Sequence, residues 1–155
     1  MKDILRGVVY IGIFAVPFLP LVVADSLFFP FITGKNFAFR IIVEAIFASW
    51  VVLAFLDRSY RPKFSWIMGA FVWFIAVMFV ANLMGVSPHK SMWSNYERME
   101  GFVTIAHLFL YFVVLGSSLT TEKLWRAFFA TSIGVACLMS FYAFAQMGGI
   151  VQISQ

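Results

Sequence analysis

Long apolar runs alternate with short polar breaks along the whole chain. Each run has about the 20 mostly apolar residues that an α-helix needs to cross a bilayer. Because backbone N–H and C=O groups find no water partner in lipid, a run that crosses the membrane must be helical. The pattern therefore predicts a single integral membrane domain over residues 1–155, an all-α polytopic bundle of transmembrane helices. Its five predicted spans cover residues 8–29, 37–56, 64–86, 102–119 and 124–151.

The composition supports a membrane protein and argues against several classes of function. Of the 155 residues, 63% are hydrophobic and 12% are charged, whereas soluble domains carry about 25% charged residues. The one cysteine, Cys137, excludes an intrachain disulfide and a cysteine metal site. No motif has the spacing of a metal centre or a nucleotide-binding loop, so we expect neither a metal nor a cofactor. The basic residues are dispersed in short turns, which argues against nucleic-acid binding.

The first apolar run is interpreted as an uncleaved span. It follows a short basic N-terminus, as in a signal peptide, but it has no A-x-A-like cleavage site. It contains Pro17 and Pro20, and a proline inside a helix removes a backbone hydrogen bond. We therefore expect a kink in this span.

The distribution of lysine and arginine predicts a cytoplasmic N-terminus, since cytoplasmic loops are enriched in these residues. In that orientation the inner segments hold seven basic and three acidic residues, and the outer segments hold four of each. The same orientation places two unusual loops, residues 28–40 and 90–102, together on the outer face. These loops contain most of the candidate functional residues.

The first outer loop and the helix after it contain a candidate anion site and an intramembrane charge pair. Gly34 permits a tight turn, and Asn36 is a predicted N-cap for the second span. Lys35 beside a helix N-terminus suits an anion, although Lys35 and Arg40 are equally suited to reach lipid headgroups. Glu44 lies about 12 Å further along the helix than Asn36 and can pair with Arg40 at i,i+4. This pair is either a structural ion pair that fixes helix packing or a polar wall of a substrate cavity.

The second outer loop combines aromatic, amide and charged side chains, a set that suits a sugar or a phosphate. Aromatic rings stack on sugar faces, amides and carboxylates bond hydroxyl groups, and an arginine can hold a phosphate with two hydrogen bonds. The alternatives are an interfacial aromatic belt and a solvated charged face. The residues are Trp93, Asn95, Tyr96, Glu97, Arg98 and Glu100.

Two segments carry a resemblance to a known family. The sequence LFFPFITGKNFAFRIIVE (residues 27–44), followed by WSNYERMEGFVTIAHLFLYF (residues 93–112), resembles the N-terminal half of bacterial O-antigen ligase-like membrane proteins. These proteins belong to the O-antigen ligase/polymerase superfamily. The resemblance extends from the first span into the fifth and implies the N-terminal half of a GT-C-like fold in the bacterial inner membrane.

The resemblance also implies an activity. Such enzymes are glycosyltransferases that move a glycan from undecaprenyl diphosphate to an acceptor on the periplasmic side, in lipopolysaccharide or other cell-envelope polysaccharide assembly. In the ligases the acceptor is the lipid A-core, and a metal is generally not needed. By resemblance, Lys35, Arg40 and Arg98 are candidates to contact the diphosphate or glycan. The remaining candidates from the second outer loop would line the periplasmic cavity.

The chain departs from the family in one respect. The family has further spans and a large periplasmic loop that carries the arginine and histidine held responsible for catalysis. This sequence contains no such loop, so the resemblance implies an N-terminal fragment of a longer chain. It leaves the catalytic residues unassigned and does not distinguish a ligase from a polymerase.

Two other functions fit the residues. The first is a non-catalytic five-span scaffold or subunit, in which the polar residues are contacts within the protein and with partners. The second is a small transporter in which Glu44 and His107 relay protons, although no inverted repeat is visible. His107 lies five residues into the fourth span, where we expect a hydrogen bond to another helix more than a proton carrier.

Overall fold

A computed structural model describes residues 1–23, 29, 32–95 and 100–149. Within these ranges all regular structure is helical, so the predicted all-α class is confirmed. The α-helices are α1 (Lys2–Ala15), α2 (Thr33–Leu56), α3 (Trp66–Met84), α4 (Pro88–Trp93), α5 (Phe102–Ser118) and α6 (Glu122–Met147). Two short 3₁₀ helices cover Val16–Leu21 and Arg58–Tyr60.

Among the described residues, four helical segments are long and apolar enough to cross a membrane. They are Lys2–Leu21, which joins α1 to the first 3₁₀ helix, Thr33–Leu56, Trp66–Met84 and Glu122–Met147. Helix α5 is also apolar but has 17 residues, about 25 Å at ~1.5 Å per residue, which is the lower end of the spanning range. The described helices therefore indicate a multi-pass membrane protein with four to five spans.

The two prolines of the first span change the type of helix. Helix α1 ends at Ala15 and the chain continues as the 3₁₀ helix Val16–Leu21. Pro17 lies at the start of that 3₁₀ helix and Pro20 lies inside it. Because a proline nitrogen has no hydrogen to donate, the α-helical hydrogen-bond pattern cannot pass through these positions.

Helix α2 begins earlier than the sequence predicts. The N–H groups of Ile32 and Thr33 donate to the C=O of Phe29, and the N–H of Asn36 donates to the C=O of Ile32. The predicted tight turn at Gly34 and the predicted N-cap at Asn36 are therefore wrong, because both residues lie inside the first turn of α2. A glycine costs about 1 kcal/mol in a helix interior, and this turn tolerates it.

Helices α1, α2 and α5 form the centre of the bundle. All three helices, and the residue that follows α5, contribute buried side chains to one core cluster. The cluster consists of Val9, Ile13, Ile46, Trp50, Val113, Val114 and Leu119. The close contact of these three helices is what places the polar side chains of α2 beside α5.

Two tyrosine hydroxyl groups join α1 to α5 across this core. The hydroxyl of Tyr10 donates to the C=O of Ser118 over 3.1 Å, and the hydroxyl of Tyr111 donates to the C=O of Ile13 over 3.1 Å. A polar group in an apolar environment must be hydrogen-bonded to avoid a desolvation penalty. The two bonds therefore fix which face of α5 meets α1.

Helices α3 and α6 lie at the edge of the bundle. Phe71 on α3 meets Phe109 and Phe112 on α5, with ring centroids 5.2 Å apart in both pairs. Most apolar side chains of α3 and α6 remain exposed, which suits helices that face acyl chains. Their first turns are fixed by N-caps, since Ser65 Oγ accepts from the N–H of Met68 and Thr121 Oγ1 accepts from the N–H of Leu124.

The closest approach of α1 and α2 depends on Gly12. A Cβ atom at this position would overlap the Cγ2 methyl group of Ile46, which is buried. By contrast, a Cβ atom on Gly7 in the same helix would meet no atom within 4 Å. Gly12 thus has a steric role that Gly7 lacks.

We expect Gly12→Ala to destabilise the protein by about 1–3 kcal/mol, the usual cost of overpacking a core. Gly7→Ala is the matched control and should leave stability unchanged or slightly raised, since alanine favours a helix. Unfolding of both variants in detergent, followed by circular dichroism, measures the difference. An equal loss of stability in both variants would show that Gly12 does not limit the approach of α1 and α2.

Candidate functional site

Arg40 connects α2 to α5. It lies two turns into α2 and is 8% exposed. Its Nη2 donates a hydrogen bond of 2.8 Å to Oγ1 of Thr104 on α5. A charged group is costly to bury without polar contacts. The hydrogen bond to Thr104 therefore lowers the cost of burying Arg40 between the two helices.

Glu44 lies one turn further along α2 and also contacts α5. Its Oε1 is 3.2 Å from Nε2 of His107. The other ring nitrogen of His107, Nδ1, is 2.6 Å from the C=O of Val103 within α5. The expectation that His107 hydrogen-bonds to another helix is confirmed, and its partner is Glu44.

The geometry of His107 determines where its protons lie. A carbonyl oxygen can only accept a hydrogen bond, so the short contact with Val103 requires a proton on Nδ1. A hydrogen bond between Nε2 and Glu44 then needs one further proton, carried either by the imidazole or by the carboxyl group. The contact between Nε2 and Glu44 is thus a hydrogen bond only when that further proton is present.

Arg40 and Glu44 were predicted to pair with each other within α2. Their opposite charges do attract, but the hydrogen bonds shown for Arg40 and Glu44 lead to Thr104 and His107 on α5. The reason is geometric, since α5 presents Thr104 and His107, one helical turn apart, on the face that meets α2. The contacts described for Arg40 and Glu44 thus join α2 to α5.

Sequence reasoning missed Thr104. The signal was present, because Thr104, His107 and Tyr111 follow the i, i+3, i+7 spacing of one helical face. Each of these side chains hydrogen-bonds to a neighbouring helix, to Arg40, Glu44 and Ile13 respectively. We call these three residues of α5 the polar stripe.

Exposure differs sharply between the two members of the deeper pair. The side chain of Glu44 is 66% exposed, whereas that of His107 is 12% exposed. A carboxyl group at this depth is expensive against lipid and normally faces protein or a water-filled cavity. Glu44 is therefore the member of the pair that a solute or another helix can reach.

The other predicted residue of the first outer loop is Lys35, in the first turn of α2, where it is half-buried. Free N–H groups at a helix start and the lysine charge both favour an anion. Arg40, by contrast, is buried and bonds to Thr104. Of the two basic residues, Lys35 is thus the more accessible.

The residues of the second outer loop lie only partly within the described structure. Trp93 ends the short helix α4 and is 52% exposed, and Asn95 and Glu100 are exposed as well. The predictions for Tyr96, Glu97 and Arg98 concern positions outside the described residues.

The two ends of this loop meet at Gly101. Ser94 has a positive φ of 64°, an uncommon conformation for a residue with a side chain. A Cβ atom on Gly101 would overlap the C=O of Met92 and lie 2.8 Å from the nitrogen of Ser94. The glycine therefore lets α5 begin directly against the end of α4, which brings the exposed aromatic and amide groups to the start of α5.

The site has no metal centre among the residues that the structure describes, since no group of three or more potential ligands lies together there. Comparison of the chain with protein families, curated proteins and solved structures found no match. Function must therefore be argued from the polar residues themselves.

We expect the imidazole of His107 to carry a proton on Nδ1 at neutral pH. In a His89→Gln variant His107 is the only histidine, so ¹⁵N NMR in detergent reports a single imidazole. Glu44→Gln should keep the proton on Nδ1, because the amide can donate to Nε2. An imidazole protonated on Nε2 alone would contradict the contact with Val103.

Proposed function

We propose that this chain is part of a glycosyltransferase of the bacterial inner membrane, O-antigen ligase-like, acting on the periplasmic side. It would transfer a glycan from undecaprenyl diphosphate to an acceptor such as the lipid A-core. The resemblance in residues 27–44 and 93–112 supports this proposal. So does the distribution of polar groups, which gather where α2 and α5 begin.

The observation that carries the proposal is the exposed carboxyl group of Glu44, held by the polar stripe within a membrane span. Lipid is an unfavourable neighbour for such a group, whereas a cavity that admits a hydrated glycan and its diphosphate is a favourable one. Lys35 lies on the same helix nearer its start, and Trp93, Asn95 and Glu100 lie on the segment that leads into α5.

Each group has a role in this proposal that follows from its chemistry. In an inverting transfer, an acceptor hydroxyl attacks the sugar carbon bonded to the diphosphate, which leaves as the undecaprenyl diphosphate anion. Lys35 and Arg98 would stabilise the negative charge that develops on the leaving group. Trp93, Asn95, Tyr96, Glu97 and Glu100 would bind the sugar, while Arg40 and the polar stripe hold the helices in place. The groups that carry out proton transfer stay unassigned.

Deletion and complementation of the gene in the source organism test this function. We expect deletion to abolish surface glycan transfer, and Arg98→Ala, introduced into the gene at its natural length, to lower transfer by about a hundredfold, the usual effect of removing one charge-stabilising donor. The matched control is Arg126→Gln, which removes an exposed charge at the opposite end of the bundle.

The amount of each variant in the membrane fraction must equal that of the wild type, and the glycan is read by gel electrophoresis of the cell-surface lipids. Normal glycan in the deletion strain would exclude the glycosyltransferase. Wild-type transfer by Arg98→Ala would exclude Arg98 alone.

A second function is favoured by one observation, the 3.2 Å distance between Oε1 of Glu44 and Nε2 of His107. A proton that can move between a carboxyl group and an imidazole inside a membrane span is the element that a proton-coupled transporter needs. This is the relay that the sequence suggested, and the two residues do meet.

Proteoliposomes with an internal pH-sensitive dye test the transporter. If the relay operates, an imposed pH gradient should drive proton entry that Glu44→Gln and His107→Gln both abolish, while His89→Gln leaves it unchanged. Vesicles that admit no more protons than protein-free liposomes would exclude proton transport and leave the glycosyltransferase proposal untouched.

A further inference from the structure

The opposite end of the bundle contains a second polar region, formed by the link between α2 and α3. This link is held in a defined conformation. Nε1 of Trp50 donates to the C=O of Tyr60 over 3.0 Å, and Nε of Arg61 donates to the C=O of Ala54 over 3.1 Å. The link therefore presents its basic residues from a fixed position.

A polar cavity of about 330 Å³ lies beside this link. It is bounded by the link itself, the start of α3 and the end of α5. Hydroxyl and cationic groups dominate its polar lining, which consists of Ser59, Arg61, Lys63, Ser65, Ser117 and Thr120. The hydroxyls of Ser59 and Ser117 already donate to Asp57 and to the C=O of Val113. The donors that remain, on Arg61, Lys63, Ser65 and Thr120, are of the kind that bind a phosphate group.

An apolar cavity of about 440 Å³ adjoins the polar one. The two cavities share Lys63 and Met68. From there the apolar cavity follows α2, α3 and α5 toward the middle of the bundle. Its apolar lining includes Phe47, Trp50, Phe64, Val72, Phe109 and Leu110.

The charge of the link favours an anion. It contains three basic residues, Arg58, Arg61 and Lys63, and one acidic residue, Asp57. The carboxyl group of Asp57 accepts hydrogen bonds from the N–H and hydroxyl of Ser59, and these bonds lower the pKa of Asp57. Asp57 thus stays ionised and occupied by Ser59, and a net positive charge remains beside the polar cavity.

We propose that the paired cavities bind one anionic phospholipid, with its phosphate among Arg61, Lys63 and the hydroxyl groups of Ser65 and Thr120, and with one acyl chain along the apolar cavity. The continuity of a basic pocket with an apolar groove matches the two parts of such a lipid, and basic pockets between transmembrane helices suit anionic headgroups. The position at the ends of α2, α3 and α5 is the level at which headgroups lie. This site is independent of the glycosyltransferase proposal and of the orientation of the chain.

The test is native mass spectrometry of the protein in neutral detergent, with phosphatidylglycerol and phosphatidylcholine of identical acyl chains. We expect the wild type to retain one phosphatidylglycerol in preference to phosphatidylcholine. Lys63→Gln should lower affinity for phosphatidylglycerol by about fivefold, the effect of one basic residue near a lipid headgroup. Among the described residues Lys63 forms no hydrogen bond or ion pair, so its replacement should not disturb the fold.

Three further measurements test whether the lipid binds through its charge at this site, through its acyl chain, or only as a phosphate. Lys123→Gln removes a charge near the same end but outside the cavities and should keep the preference. Val72→Trp narrows the apolar cavity and should weaken the binding of phosphatidylglycerol. Circular dichroism should show that the variant keeps its fold. Inorganic phosphate at millimolar concentration should not displace the lipid.

Equal retention of the two lipids by the wild type would overturn the proposal, as would an unchanged preference in Lys63→Gln. Full displacement by inorganic phosphate would show a site for a free anion and would also overturn the lipid assignment.

Discussion

A charged side chain inside a bilayer requires a polar partner, and in this protein the partners come from a different helix. Arg40 bonds to Thr104 and Glu44 bonds to His107, so these contacts of both side chains join α2 to α5. In water, such side chains could exchange these contacts for hydrogen bonds to solvent at little cost. Lipid offers no hydrogen-bonding groups, so the contacts within the protein cannot be exchanged in this way. The mutual position of α2 and α5, and with it the candidate site, depends on these two hydrogen bonds.

The fold class was accessible from the sequence because a bilayer imposes a simple rule on length and polarity. Runs of about 20 apolar residues predicted helices, and the described structure contains them. The boundaries were less accessible. Asn36 has the chemistry of an N-cap, yet the turn at Phe29 starts α2 earlier, and that turn depends on backbone contacts that composition does not reveal.

The candidate site was predictable in its residues and not in its contacts. Arg40 and Glu44 stood out because charge is rare in a span, but spacing along one helix suggested that they would pair with each other. Their bonds to α5 depend on the rotation of that helix, which Tyr10 and Tyr111 fix through α1. Thr104 was overlooked because a threonine in an apolar run is ordinary, and only its position opposite Arg40 makes it significant. The need for glycine at position 101 likewise could not be predicted, because it arises from the close approach of the Met92 backbone.

The tyrosine bonds between α1 and α5 also set an order for assembly. Tyr10 and Ser118 are 108 residues apart, and Ile13 and Tyr111 are 98 residues apart. At a synthesis rate of about 5–20 residues per second, several seconds separate the emergence of α1 from that of α5. During that interval α1 and α2 can meet at Gly12, before Thr104 and His107 of α5 reach Arg40 and Glu44. The third long helix to be made, α3, must therefore leave the flank of α2 open. Helix α5 then inserts beside α2, between elements already in the membrane, instead of adding to the outside of a finished bundle.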